Sequence, residues 1–178
     1  MKRSLSWIVL LVFLVPLSVA AGPVGFGISG GVLVPIAQED QAAGSVFGVK
    51  IRAKLFGPLT MEPNLHFGSF GNAEITGVGS RDGSSIKHYG IDILLGAPVS
   101  KIGIKPYVFI GGGVYNTKRD GDETTNRSGW SFGPGFSLGV RPEIDIDLKG
   151  RFNIAGSDGS TSKKSVGITA GVIYYVGR

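Results

Sequence analysis

Charged and imidazole side chains recur at every second position in several stretches of this sequence. Successive side chains of a β-strand point to opposite faces, so this spacing collects the charges on one face of a strand. Opposite charges that share a buried face must pair or stay hydrated. The set comprises Lys50, Arg52, Lys54, Glu62, His66, His88, Asp92, Asp145, Asp147, Lys149 and Arg151. We predict that these residues form a polar network inside a β-structure.

Two functions of this network stay open. One is a structural ion-pair network that fills the interior, which the cost of lone buried charges favours. The other is a narrow, low-conductance ion path gated by the same pairs. A hydrolytic site would instead need a hydroxyl nucleophile near a base. The two histidines are the candidate bases, but Ser69 falls on the opposite strand face from His66, so we predict no catalytic residues and no enzyme activity.

Motifs for cofactors and metals are also missing from the pattern. The triplet Gly111-Gly112-Gly113 is not followed by the Lys and Ser/Thr of a phosphate-binding loop. The acidic residues Asp120, Asp122 and Glu123 lack the twelve-residue spacing of a calcium-binding hand. We therefore predict no cofactor and no metal site, and surface solvation for the acidic cluster.

The N-terminus has the features of a secretory signal peptide. Two basic residues precede an apolar run over residues 5–17, and a small residue follows at Ala20. The run is too short for a membrane span, which needs about 20 apolar residues. We predict that residues 1–20 are removed and that residues 21–178 form one domain.

The composition of the mature chain excludes several classes of protein. Loss of the two basic residues of the signal lowers the formal net charge from +5 to +3, and no run of five or six like charges occurs, so nucleic acid is not an expected partner. Cysteine is absent, which excludes disulfides and thiolate metal sites. Glycine is abundant, at 30 residues, and lies within alternating segments, where it makes room for large neighbours.

Eight segments of the sequence alternate with a period of two, and no long helical period follows the signal. The fifth segment is apolar on both faces, so its phase stays open. The eight segments are Val24–Val34, Ser45–Phe56, Thr60–Phe70, Ile86–Gly96, Ile104–Tyr115, Trp130–Val140, Ile144–Ile154 and Val166–Tyr174.

The connections between these segments alternate between long and short. Long polar connections are expected over residues 35–44, 71–85, 116–129 and 155–164, and short ones over residues 57–59, 97–103 and 141–143. Long outer loops and short periplasmic turns are typical of a transmembrane barrel. The sequence therefore predicts an all-β fold: an eight-stranded antiparallel up-and-down transmembrane β-barrel.

The bulk of the apolar face favours a membrane barrel over a soluble one. An eight-stranded barrel has an interior just wide enough for side chains to fill. One face carries many large residues, including Phe47, Phe132, Phe136 and Phe152, while the other is rich in Gly and Ser. Aromatic residues near strand ends, such as Trp130, also fit the girdles of membrane barrels. A soluble periplasmic ligand-binding barrel stays as an alternative.

The signal peptide, the eight amphipathic strands and the Gly-aromatic alternation of residues 105–115 resemble the small outer-membrane β-barrel family of OmpA/OmpX-type and opacity, porin-like proteins. The resemblance implies an outer-membrane location and a last strand read by the barrel-assembly machinery. Thr169, Gly171, Tyr174 and Val176 occupy the positions of that signal, with Val176 where the family carries an aromatic residue. Some barrels of this kind are lipid-modifying enzymes. A lipid-modifying enzyme is the least favoured alternative for this sequence.

Taken together, the sequence predicts a monomeric barrel in the cell outer membrane with a structural or surface-interaction role. Its long outer loops are the expected recognition surface for a partner that the sequence does not name. The expected partners are therefore the lipid bilayer, the assembly machinery and this surface partner.

Overall fold

The computed structural model describes residues 22–36, 41–75, 79–81, 83–96, 99, 102–119, 124–156 and 162–177. The predicted signal peptide and the acidic cluster at residues 120–123 lie outside the described residues. Within the described part of the chain, no helix is long and apolar enough to cross a membrane.

The described residues form ten strands. These are β1 (Val24–Ile36), β2 (Ala42–Lys54), β3 (Leu59–Gly71), β4 (Ala73–Ile75), β5 (Gly79–Arg81), β6 (Ser84–Leu95), β7 (Gly103–Arg119), β8 (Thr125–Arg141), β9 (Ile144–Ala155) and β10 (Lys163–Val176). Eight of them close a barrel, and β4 pairs with β5 in a separate two-stranded sheet. Each barrel strand pairs antiparallel with the next barrel strand along the chain, which confirms the predicted eight-stranded up-and-down barrel.

The first and last strands complete the ring. Strand β1 pairs with β10 from Val24 opposite Val176 to Ile36 opposite Lys164. Val24 and Val176 therefore lie at the end of the barrel where β2 is followed by β3, β6 by β7 and β8 by β9. We call this end periplasmic and the opposite end outer, because outer-membrane barrels have short periplasmic turns.

The two faces of the barrel wall differ as the alternation predicts. Large apolar side chains point outward, with Ile28, Val108 and Phe132 each about half exposed. The inward face holds charged residues, among them Arg52 and Asp145 with no exposed surface. An apolar outer face and a polar interior characterise membrane barrels, so the alternative in which the apolar face lines a soluble cavity is wrong.

The structure resolves the phase of β7. Tyr107, Phe109 and Tyr115 are buried in the lumen, while Val108 and Ile110 are exposed on the outer face. The inward aromatic rings explain why the pattern left this strand ambiguous, because both of its faces are apolar. Lys105 is also buried. Its charge is the feature of the sequence that marks the odd-numbered positions of β7 as the inward face.

The predicted loop over residues 116–129 is wrong. Strand β7 continues to Arg119 and β8 begins at Thr125, with Thr117 opposite Thr125 at the top of the ladder. The apolar alternation stops at Val114 because the outer face no longer meets lipid there, but backbone pairing does not depend on apolar side chains. The hydrophobic pattern therefore marked the extent of the apolar band and underestimated the strand.

Glycines on the inward face accommodate the β7 aromatic rings. Tyr107 pairs with Gly135 across β7 and β8, and a Cβ at Gly135 would lie 2.4 Å from the Tyr107 ring. Aromatic residues that cover a glycine on the neighbouring strand are a known stabilising device in sheets. The ring can lie over β8 and reach Asp147 on β9 only because Gly135 has no side chain.

We expect Gly135→Ala to lower the free energy of unfolding by about 1–3 kcal/mol, because the added methyl group displaces the Tyr107 ring in a filled interior. Gly112→Ala is the matched control. It adds the same methyl group on the outer face, where the nearest atoms lie 3.9 Å away. Urea titration of both variants in lipid vesicles measures the difference, and equal stabilities would contradict this account of the glycine.

Candidate functional site

Asp147 is the centre of the periplasmic half of the lumen. Its carboxylate accepts hydrogen bonds from Lys50 Nζ at 2.5 Å, Arg52 Nη2 at 3.0 Å, Tyr107 Oη at 2.9 Å and Ser137 Oγ at 2.7 Å. These donors come from β2, β7 and β8, while Asp147 itself lies on β9. One carboxylate thus ties together strands from opposite sides of the barrel.

Glu62 joins this group to a second one nearer the outer end. Arg52 Nε donates to Glu62 Oε2 at 2.6 Å, and Lys149 Nζ donates to Glu62 Oε1 at 2.5 Å. Each carboxylate oxygen therefore faces a different cation. All three residues are buried, so the two halves of the lumen share one continuous charged network.

Asp92 holds the outer half of the network. It accepts from Lys149 Nζ at 3.0 Å and forms a two-pronged pair with the Arg151 guanidinium. Arg151 Nη1 also donates to Ser131 Oγ at 2.6 Å. We call Lys50, Arg52, Glu62, Asp92, Asp147, Lys149 and Arg151 the lumen ion cluster.

Aromatic rings from β7 pack against the cations of the cluster. The Arg52 guanidinium lies 5.2 Å from the Tyr107 ring centroid, and Lys149 Nζ lies 4.3 Å from that of Phe109. Arg151 lies 4.8 Å from the same Phe109 ring. Desolvated cations gain from such contacts with ring faces, so the aromatic side of β7 supports the charges as well as filling the lumen.

The space outside the cluster is small. Toward the outer end a cavity of about 40 Å³ is lined by residues that include His66, His88, Tyr115 and Arg151. Such a volume holds a few water molecules. Toward the periplasmic end the apolar side chain of Val99 packs with Ile173 and Tyr175, and all of these are buried.

The structure brings the predicted network residues together in the lumen, and Lys54 is the exception. Lys54 lies at the end of β2, is half-buried and takes part in none of the ion pairs among the described residues. The remaining predicted residues line the lumen. Asp145 pairs with Lys105 at 2.7 Å.

Sequence reasoning missed several lumen residues on β7 and β8. Lys105, Tyr107, Ser131 and Ser137 all contact the predicted charges. The signal for Lys105 and Tyr107 was present, because both share the odd phase of the inward glycines of β7. The serines carried no distinctive spacing and are recognised only from the register of β8 and β9.

The two histidines meet across β3 and β6, with 3.4 Å between their Nδ1 atoms. The His88 ring also stacks on Tyr115 at a centroid distance of 4.4 Å. Ser69, the hydroxyl that follows His66 in the sequence, lies on the exposed outer face. This pair therefore serves as polar filling beneath the outer cavity, and the geometry assembles no nucleophile and base from these residues.

Comparison with known families identifies the barrel. Residues 7–175 match the outer membrane protein beta-barrel domain. The chain belongs to this family. The match places the outer-membrane barrel in the cell outer membrane and agrees with its apolar outer face.

Solved structures share the fold of this outer-membrane barrel. Neisserial surface protein A is 15% identical with a TM-score of 0.64, and the alignment covers 86% of this chain and 97% of that one. The barrel domain of Pseudomonas aeruginosa OprF is 14% identical with a TM-score of 0.51, covering 84% and 97%. Ail of Yersinia pestis is 14% identical with a TM-score of 0.50, covering 86% and 97%.

These similarities support the fold alone at such low identities. The search of curated proteins gives no match.

Proposed function

We propose that this protein is a structural outer-membrane barrel whose outer end recognises a surface partner. The observation that carries the proposal is the lumen ion cluster, which spans the interior from β2 to β9 through paired side chains. A filled interior favours a role that resides on the surface over one that requires passage through the barrel. The paired charges then serve as structure, in keeping with the cost of separating buried ions.

The outer end provides ordered polar backbone for such recognition. The β7–β8 ladder rises above the apolar band, and Asn116 Nδ2 donates to Asn126 Oδ1 at 2.7 Å across it. The connection between β3 and β6 carries the β4–β5 hairpin, and Asn72 Oδ1 accepts from Gly83 N at 2.8 Å at its base. Binding residues on rigid supports of this kind are a common arrangement.

Two fold relatives support the proposal by analogy. One is described as a Neisserial surface protein and the other as the attachment invasion locus protein of Yersinia pestis. Both descriptions place those proteins at the cell surface or in attachment. For this chain the analogy suggests the same class of role, with the partner set by its own outer connections.

We further propose the route by which the protein reaches its membrane. Residues 1–20 act as a removable signal peptide, and the barrel-assembly machinery reads β10 through Thr169, Gly171, Tyr174 and Val176. Tyr174 and Val176 are both exposed on the lipid face, where a docking surface can reach them before closure. The mature barrel is expected to be a monomer, because its ring of strands is complete in one chain.

Removal of the β4–β5 hairpin tests the recognition role. A variant with residues 73–81 replaced by a Gly-Ser linker, and the wild type, are reconstituted in nanodiscs and applied to immobilised matrix proteins and glycosaminoglycans. We expect wild-type binding to at least one probe and a loss of roughly tenfold or more in the variant, because recognition contacts concentrate in a few residues. Arg141→Ser/Glu143→Ser, at the periplasmic turn, is the control and should bind like the wild type.

Two results would contradict the proposal. Equal binding by the hairpin variant and the wild type would remove the outer end as the recognition surface. Resolved single-channel currents through the wild-type barrel in a planar bilayer would instead favour the narrow pore. Folding of each variant is checked by its heat-dependent migration on a denaturing gel.

A further inference from the structure

The carboxylates of the barrel strands all point the same way. Among the described residues of the eight barrel strands, the carboxylates are Glu62, Asp92, Asp145 and Asp147, and each is buried in the lumen. Among the described residues, the lipid-facing side of these strands therefore carries no carboxylate. An exposed lysine on that side therefore has no described carboxylate on a neighbouring barrel strand with which to pair.

Two such lysines lie next to each other at the outer end. Lys87 on β6 and Lys118 on β7 are both exposed on the outer face. Lys87 is opposite Asn116 and Lys118 is opposite Ser85, so the two lysines are diagonal neighbours, roughly 7–8 Å apart at the backbone. Neither takes part in the ion pairs found among the described residues. We call Lys87 and Lys118 the outer-rim lysine pair.

The level of this pair matches the lipid headgroups. On β6 the outward residues run from Leu95 and Ile93 to Tyr89 and then Lys87. Tyrosine at the end of an apolar band marks the interface of a membrane. Lys87 lies two residues beyond Tyr89, which is roughly 7 Å along the strand. This distance places the ammonium groups in the polar layer outside the hydrocarbon.

Neutral polar side chains and one aromatic ring flank the pair. On the β3 side Phe67 lies opposite Lys87 and Ser69 opposite Ser85, and on the β7 side Asn116 lies opposite Lys87. The surface therefore offers two cations to one group at headgroup level, while Ser85 and Asn116 already donate within the barrel wall. A phosphate suits this surface, since it combines negative charge with several acceptor oxygens.

We propose that the outer-rim lysine pair binds the phosphate groups of a phosphorylated glycolipid in the outer leaflet. Charge complementarity carries this assignment: the site is cationic, faces outward and lies at the depth of the headgroups. Soluble phosphate lacks the acyl chains that would pack on the apolar wall below Tyr89. This ligand is separate from the surface partner of the outer loops.

Native mass spectrometry of the detergent-solubilised barrel, titrated with diphosphoryl lipid A, tests the site. We expect Lys87→Gln/Lys118→Gln to weaken binding roughly 30-fold, since each lysine near an anionic lipid surface contributes about a factor of five. The control, Arg141→Gln, removes an exposed cation at the opposite end of the barrel and should leave binding unchanged. The heat-dependent gel shift of each variant confirms that it is folded.

Three results would overturn the site. The first is equal binding of lipid A by the double lysine variant and the wild type. The second is equal binding of dephosphorylated and diphosphoryl lipid A by the wild type, which would leave the acyl chains as the ligand. The third is complete displacement of the lipid by inorganic phosphate at equal concentration, which would identify a free-phosphate site.

Discussion

Asp147→Asn is expected to lower the free energy of unfolding by about 3–5 kcal/mol, the range found when one partner of a buried ion pair is removed. The amide keeps the size of the carboxylate but removes its charge from Lys50 and Arg52. Tyr107 and Ser137 both donate to Oδ1, so the NH₂ group takes the place of Oδ2 and sets a donor against Lys50 Nζ. The barrel should still form, because the apolar outer face is unchanged. Urea titration in lipid vesicles measures the loss.

A double variant separates lost charge from lost packing. Asp147→Asn/Lys50→Met also removes the Lys50 ammonium group. In the wild type this group lies 2.5 Å from the Asp147 carboxylate, and in the single variant it loses that partner. We expect it to recover at least about 1 kcal/mol of the loss, because an uncompensated buried charge causes much of the penalty. If the single variant were as stable as the wild type, the lumen ion cluster would not support the fold. If the double variant recovered nothing, the loss would come from hydrogen bonding to Arg52 and its neighbours.

Ala170→Arg is expected to destabilise the membrane-inserted barrel by about 2–4 kcal/mol, as found for arginine at the midplane of a barrel's lipid face. Ala170 is exposed on the outer face of β10, midway between Tyr174 and Val166. The small native side chain means that little packing is lost, so the measurement reports the cost of the charge in lipid. Unfolding in vesicles of defined thickness gives the value.

Ala43→Arg provides the matched control for the lipid face. Ala43 is also exposed and lies on β2 near the outer connection, beyond the apolar band that ends near Phe47. The same substitution there should cost about 0–1 kcal/mol, as expected near the interface. Costs of about 0–1 kcal/mol at both positions would show that the outward face of β10 does not lie in hydrocarbon, whereas costs of about 2–4 kcal/mol at both would extend the membrane band to Ala43.

Much of the fold followed from alternation in the sequence. The outward phase of β2, with Phe47, Val49 and Ile51, and the eight strands themselves were both predicted. The inward phase of β7 was not, because Tyr107 and Phe109 made its lumen face as apolar as its lipid face. The extension of β7 and β8 was missed for a related reason. Above Val114 the two strands stay paired, but their outward side chains no longer face lipid, so the sequence does not alternate between apolar and polar residues there.

The lumen charges were predicted as a set but not as pairs. Lys50 and Asp147 are separated by almost a hundred positions in the sequence, and their contact depends on the tilt and stagger of strands around the closed wall. Alternation gives the face of each side chain but not its height in the barrel. The link through Glu62 and the isolation of Lys54 therefore required the register of the strands.

The pairing of β1 with β10 has a consequence for how the protein is made. Thirteen residue pairs join the first strand to the last, so the wall cannot close until the final segment of the chain is available. Until then β1 and β9 both present unpaired backbone, which invites aggregation. A chain clipped before Lys163 would keep those edges permanently. We therefore expect the wall to close only once the segment that forms β10 has been made.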